Sequence, residues 1–200
     1  MDKYSVRVTF TETLLGTTPK DKEIYAKWVA HQEAVTDEML EEELSTVQEV
    51  EEKGWTGFHV KDGQLILYDY VLGGVFKHAC GALRRVSDTR SAKLRAYKMV
   101  INDLVFIKPR QIPIHLPEGA ELGMLERPLR GQTAQGERVL LARSVTCPPG
   151  TWIEFEIWVV GVISEALLRE WLDHGALYGM GQWRNAGWGT FEYEMTKLEA

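Results

Sequence analysis

Three stretches of this chain carry residue types and spacings that suit an anionic polymer. In residues 71–85 (VLGGVFKHACGALRR), Lys77, Gly81, Arg84 and Arg85 stand at i, i+4, i+7 and i+8, which places them on one face of a helix. A glycine among three cations admits a phosphate backbone, because no Cβ intervenes. Gly73 and Gly74, at the expected helix start, offer free N–H groups to an anion. Phe76, Ala79 and Leu83 form the separate apolar face. Residues 126–138 are polar without apolar periodicity and read as a long loop, in which Arg127, Arg130, Gln132 and Gln135 can donate to phosphate or 2′-hydroxyl oxygens. In residues 177–189, Gly179, Gly181, Gly187 and Gly189 punctuate Trp183, Arg184, Asn185 and Trp188. Amides freed by glycine, one arginine and stacking rings suit a sugar-phosphate strand with splayed bases. Each stretch also has a purely structural reading: a solvated helix face, a connector, and a tight turn packed by tryptophan.

Other chemistries find less support. The glycine-rich stretch follows a helical pattern and precedes a strand, the reverse of a dinucleotide fingerprint, and no Gly-Lys-Ser/Thr makes a P-loop. Five histidines (His31, His59, His78, His115, His174) are candidates for acid–base work. His78, beside Lys77, is the weak catalytic candidate, and no catalytic set is assigned. Cys80 stands two residues from His78, so a helix turns the two apart. His78, Cys80 and Cys147 lack a fourth metal ligand. Asp62 and Asp69 are explained by turn and strand-end roles. No metal or cofactor is expected.

The chain has 200 residues and a formal net charge of −6, which on its own argues against nucleic acid. The distribution argues otherwise. Residues 33–52 hold nine acids and no Lys or Arg, leaving an excess of three positive charges over the rest; residues 77–110 hold nine bases against Asp88 and Asp103. A local patch governs phosphate binding more than the total does. Hydrophobic residues at 44% and charged residues at 26% are globular values. No apolar run approaches the roughly 20 residues of a membrane helix. The first ten residues read as a strand rather than a signal peptide, and two cysteines fit a reducing cytoplasm.

The elements that must position these residues follow from periodicity. Tyr4, Val6, Val8 and Phe10 alternate with polar residues, a half-buried strand. Thr18 before Pro19 predicts a helix N-terminus, Thr36 a second start, and Ser45 with Gln48 a third by capping-box spacing. Residues 19–53 thus read as a helical insertion, with Trp28 among its apolar positions. Residues 55–60 and 64–70 flank Lys61-Asp62-Gly63 as a hairpin. A helix is expected over 75–85, extended segments over 103–107 and 110–116, and short strands over 138–142, 153–159 and 188–195. Ser164 caps a helix with Leu167, Leu168, Trp171 and Leu172 on one face, ending near Gly175. One α+β domain over residues 1–200 is the expectation.

In this order the three stretches resemble the RAMP superfamily of CRISPR-associated RNA-binding proteins, in particular the backbone subunits that line guide RNA. Residues 72–84 (LGGVFKHACGALR) look like the family's helix P-G-S-S-L-K-G-x-L-R. Residues 127–136, followed by Pro149-Gly150-Thr151-Trp152-Ile153-Glu154-Phe155, look like R-x-x-I-D-R-x-T-G-x-A-x-x-G followed by P-a-G-t-x-F. Residues 179–189 look like its C-terminal glycine-rich loop. The likeness covers most of the chain outside residues 19–53. Gly74 and Val75 stand where the family has serines, and Pro128-Leu129-Arg130 replaces its Asp-Arg pair. The chain is also similar to small prophage proteins. The resemblance implies a ferredoxin-like (RRM-like) antiparallel sheet with helices on one face, plus the insertion and loop embellishments. It implies a non-catalytic protein gripping guide or single-stranded RNA through Lys77, Gly81, Arg84, Arg85, Arg127, Arg130, Gln132, Gly179, Gly181, Trp183, Arg184 and Gly187. Partners would be RNA and CRISPR effector subunits or further copies of the chain. Two other readings stay open: a phage-encoded protein that mimics or blocks an effector subunit, its acidic segment serving as the docking element, and a RAMP-type endoribonuclease.

Overall fold

The computed structural model describes residues 1–29, 36–47, 55–133 and 136–199, and of 27–29, 37, 129–133 and 136–140 the backbone only. In chain order the elements are β1 (Asp2–Phe10), β2 (Leu14–Leu15), β3 (Thr18–Pro19), α1 (Lys22–Val29), α2 (Asp37–Ser45), β4 (Trp55–Gly57), β5 (His59–Lys61), β6 (Gln64–Tyr68) and α3 (Asp69–Leu83). They continue with α4 (Tyr97–Leu104), β7 (Val105–Lys108), β8 (Gln111–His115), β9 (Gly123–Thr133), β10 (Gly136–Cys147), β11 (Trp152–Val159), α5 (Glu165–Tyr178) and β12 (Phe191–Lys197).

The main sheet places β12 beside β1, β1 beside β11, and β7 beside β11, every pair antiparallel. With α3 between β1 and β7, and α5 between β11 and β12, this is the strand order and direction of a ferredoxin-like βαββαβ unit. Its core follows from the alternation in the sequence. Tyr4, Val6, Val8 and Phe10 of β1 and Ile153, Phe155, Ile157 and Val159 of β11 are buried. They meet α3 and α5, which touch through Phe76 and Trp171, 5.8 Å apart between ring centroids. Gly175 permits the close approach: a Cβ there would lie 2.9 Å from Val75. β8, β6 and β5 extend this sheet from the start of β11, and β2, β10, β4, β3 and β9 form a second one.

The hairpin at Lys61-Asp62-Gly63 is present, with Asp62 and Gly63 both at positive φ. Ser164 and Thr36 cap their helices through side-chain oxygens. Other expectations are corrected. Thr18 and Pro19 form β3, and the carboxylate of Asp21 caps α1 instead, accepting from Glu23 and Ile24 N–H. Ser45 ends α2 and donates to the Glu42 carbonyl; Gln48 and Trp28 lie outside the described residues and side chains. α3 begins at Asp69, six residues before the expected start, because Asp69 N–H bonds the Arg110 carbonyl and the Asp69 carboxylate accepts from Tyr70 N–H. Gly73 and Gly74 therefore lie inside the helix, not at an open N-terminus. α5 runs through Gly175 to Tyr178, and Gly179 at φ +89° ends it. The final strand starts at Phe191 rather than 188. Residues 126–133 and 136–138 are strand rather than loop. They belong to a long antiparallel ribbon, β9 against β10, from Gly123 opposite Thr146 to Thr133 opposite Gly136. The polar sequence of β9 has no apolar alternation to betray it, and a cross-strand pair such as Arg143–Glu126 (2.6 Å) stabilises the ribbon instead. α4 is an element that the periodicity did not signal.

Candidate nucleic-acid interface

α3 packs Phe76 and Ala79 fully into the core and turns Lys77, His78, Arg84 and Arg85 outward. Gly73 and Gly74 lie on the same outer side, where an added Cβ would meet nothing within 4 Å. Gly81 does not open a gap for phosphate. A Cβ there would sit 2.9 Å from the Tyr97 hydroxyl, and Arg84 lies over the Tyr97 ring at 5.2 Å. Gly81 and Arg84 thus fasten α4 to α3.

His78 leads to the next stretch. Its ring stacks on Tyr178 at 4.2 Å, and His174 lies 5.7 Å from both. The Arg184 guanidinium sits over the same Tyr178 ring at 5.1 Å. Its neighbour Trp183, held at φ +53°, carries the Arg127 guanidinium at 3.6 Å from the ring centroid. Side chains from α3, the end of α5, the glycine-rich loop and β9 therefore join in one line of rings and cations. Arg130 and Gln132 are on β9, and their side chains are outside the described set.

Three of the loop's four glycines are explained by packing, and Gly187 by its positive φ alone. A Cβ at Gly189 would come within 1.9 Å of the Met180 carbonyl oxygen, at Gly179 within 2.3 Å of that of Trp188, and at Gly181 within 2.6 Å of that of Leu15. Three of the four amides are also occupied: Gly179 N–H bonds the Gly175 carbonyl, Gly187 that of Arg184 and Gly189 that of Thr13. The loop's contribution to any ligand is therefore Trp183 and Arg184, presented by a rigid turn, rather than open backbone amides.

Electrostatics separate the cations into two sets. Lys77, Arg85 and Arg184 have no carboxylate partner among the described residues, and Arg127 Nε is buried without a hydrogen bond. Arg110, counted with the basic stretch, is consumed: it lies 2.6 Å from Glu43, 3.8 Å from Glu42 and 3.9 Å from Asp69. Burial lowers the His78 pKa, with Arg184 and His174 adding to the effect, and burial lowers that of His174. Both imidazoles thus favour the neutral form and serve as stacking surfaces. Neither cysteine is available as a nucleophile: both are buried, and burial pushes Cys147 up to about 12. Tyr178 was missed in the sequence, and His174 was named only as an acid–base candidate; their i, i+4 spacing beyond the apolar face of α5 was the signal for a stacking pair.

The opposite face of the main sheet is a poorer platform. Trp152 is flanked by His115 at 3.9 Å and Arg7 at 4.0 Å, and Trp158 is covered by Lys3 at 4.1 Å. Glu154, Glu156, Glu192 and Glu194 project from the same face. Among the described residues no helix is long and apolar enough to cross a membrane.

The class this geometry defines is an α+β protein on a ferredoxin-like unit, carrying a line of stacked rings and cations that have no carboxylate partner among the described residues. No family model matches the sequence, and no curated protein matches it significantly. Among solved structures, the fold is similar to a chain of the Type III-B Cmr-beta bound to cognate target RNA. The TM-score is 0.56 at 10% identity, covering 99% of this chain and 61% of that one. A chain of a Type IV-B CRISPR Complex gives a TM-score of 0.46 at 13% identity, covering 97% and 90%. At 10% identity the likeness to the Cmr-beta chain is one of fold, and this chain spans about three fifths of it.

Proposed function

We propose that this chain is a RAMP-type RNA-binding protein that holds a single-stranded or guide RNA along α3 and the glycine-rich loop. In this reading it works within, or beside, a CRISPR effector assembly. The observation that carries the reading is the continuous contact line His78–Tyr178–Arg184 and Trp183–Arg127. It joins three stretches that are far apart in sequence and leaves their cations without carboxylates among the described residues. Lys77, Arg85, Arg127 and Arg184 neutralise phosphates, and Tyr178 and Trp183 offer faces to bases. Gly81, Gly179, Gly181 and Gly187 act indirectly, by setting the positions of Arg84, Trp183 and Arg184. The fold shared with a chain of an RNA-bound CRISPR complex supports the same reading.

The test is binding of labelled single-stranded RNA across a salt series. Four phosphate contacts on a single strand predict that affinity falls about 50-fold between roughly 50 and 200 mM salt. Arg127→Ala and Arg184→Ala each lower the salt slope by about one contact. Absent or salt-independent binding contradicts the proposal.

A further inference from the structure

β12 is an edge of the main sheet: among the described strands it pairs with β1 alone. The bonds from Thr11 N–H to the Thr190 carbonyl and from Leu198 N–H to the Lys3 carbonyl set the phase of that ladder. Glu192, Glu194 and Thr196 then turn their peptide groups to β1, opposite Thr9, Arg7 and Ser5. Tyr193, Met195 and Lys197 turn theirs outward. One of these outward groups is taken, since the Arg169 guanidinium donates to the Met195 carbonyl at 3.1 Å. The N–H and C=O of Tyr193 and the N–H of Met195 have no partner among the described residues. The strand runs seven residues, with neither proline nor glycine to interrupt an added ladder. The other edge of the ferredoxin-like unit, β7, has four residues and gives its Val105 N–H to the Ile101 carbonyl.

The side chains at this edge select by charge. Glu192 and Glu194 are exposed on the outer face of the sheet and have no cation partner among the described residues. Arg7, between Glu194 and Glu154 across the strands, turns its guanidinium to Trp152 at 4.0 Å instead. A groove of about 510 Å³ lies there, walled by Arg7, Thr9, Glu192, Tyr193 and Glu194. On the inner face, the Tyr193 hydroxyl donates to Asp173 at 2.6 Å, which holds the half-buried ring beside the edge. A strand added here lies about 4.8 Å from β12 and sets its alternate side chains opposite the two glutamates. A second copy of this chain fits poorly. Two β12 strands paired antiparallel about Tyr193 set Glu192 against Glu194, and paired about Glu194 they set that residue against itself. We propose that the outer edge of β12 takes an extended segment of a partner protein as an added strand. The segment carries Lys or Arg at the alternate positions facing Glu192 and Glu194, and apolar residues between them along Tyr193 and Met195. This goes beyond the RNA-binding reading and stands without it.

The experiment mixes the full chain with a synthetic peptide of the length of β12, alternating lysine and valine, and follows backbone amide hydrogen exchange. The expected result is slowed exchange at Tyr193 and Met195, whose N–H groups point outward. Glu192 and Glu194, already bonded to β1, keep their rates. Two further peptides separate the ladder from the charge. Glutamate in place of lysine weakens binding at least about tenfold, and proline at the central valine abolishes the protection. Glu192→Lys combined with Glu194→Lys reverses the preference, so that the glutamate peptide binds better. Both positions are exposed, and a misfolded chain does not gain a ligand. Unchanged exchange at Tyr193 and Met195, equal binding of the lysine and glutamate peptides, or equal protection by the proline peptide would each overturn the inference. Protection that grows with protein concentration alone would assign the edge to a second copy and overturn it too. None of these readouts involves RNA, so this inference and the RNA-binding reading fail separately.

Discussion

Arg110 and Arg184 are both arginines in connections between elements, yet one is surrounded by carboxylates and the other by rings. Arg110 reaches Glu43, itself 2% exposed, and packs over Tyr68 at 5.1 Å. Glu43 also accepts from the Tyr25 hydroxyl at 2.5 Å, and that hydroxyl lies 3.1 Å from the hydroxyl of Tyr70. This corner is a closed polar network in which the acidic segment spends part of its charge on the basic one. Arg184 has a tyrosine ring beneath it and no acid among the described residues. The same residue type thus stabilises the fold in one place and leaves charge available in the other. Local charge counts in a sequence are therefore poor maps of a binding surface until the internal pairs are removed.

The largest effect expected from this contrast is on stability. Arg110→Ala strands Glu43 in the interior and lowers unfolding free energy by about 3–5 kcal/mol, whereas Arg184→Ala stays within about 0.5 kcal/mol. Denaturant midpoints measure both, and equal losses would erase the distinction. The glycine-rich loop offers the next contrast. Gly187→Ala, at φ +87° in open space, costs about 1–2 kcal/mol. Gly189→Ala adds a backbone collision with Met180 and costs about 3 kcal/mol or more. A smaller effect comes from His59, buried between Tyr25 and Tyr68 with Nδ1 2.8 Å from the Thr46 hydroxyl. Burial lowers its pKa to about 4, against about 6.5 in an unfolded chain. Between those values the unfolded chain binds the extra proton, so the contribution of neutral His59 is complete above about pH 6.5 and is lost as pH falls toward 4. His59→Gln flattens this fall by up to about 1.4 kcal/mol per pH unit, read from melts across the range.

Much of the ferredoxin-like unit was legible because its strands bury one face. The alternation in β1 and β11, the Asp-Gly turn, and the Ser164 cap with Leu168 and Trp171 each point to one element. Of the ribbon, only the 138–142 part of β10 was legible as a strand; β9 read as a loop, since its polar residues leave no apolar period. Gly73 and Gly74 misled about α3 because their cost of about 1 kcal/mol each is outweighed by the burial of Leu72, Val75 and Phe76. Of the candidate interface, Lys77, Arg127, Trp183 and Arg184 could be named from residue type and spacing. The stacking role of His174 and Tyr178 could not, because the ring partners they need come from other elements. The diversion of Arg110 into the acidic segment required the tertiary pairing of α2 with the connection between β7 and β8.

The measurement that bears most directly on the interface is ultraviolet crosslinking of single-stranded RNA to the protein, with the attached peptides identified by mass spectrometry. Crosslinks at His78, Tyr178 and Trp183 are the predicted result. Crosslinks confined to Trp152 and Trp158, on the opposite face of the sheet, would contradict it.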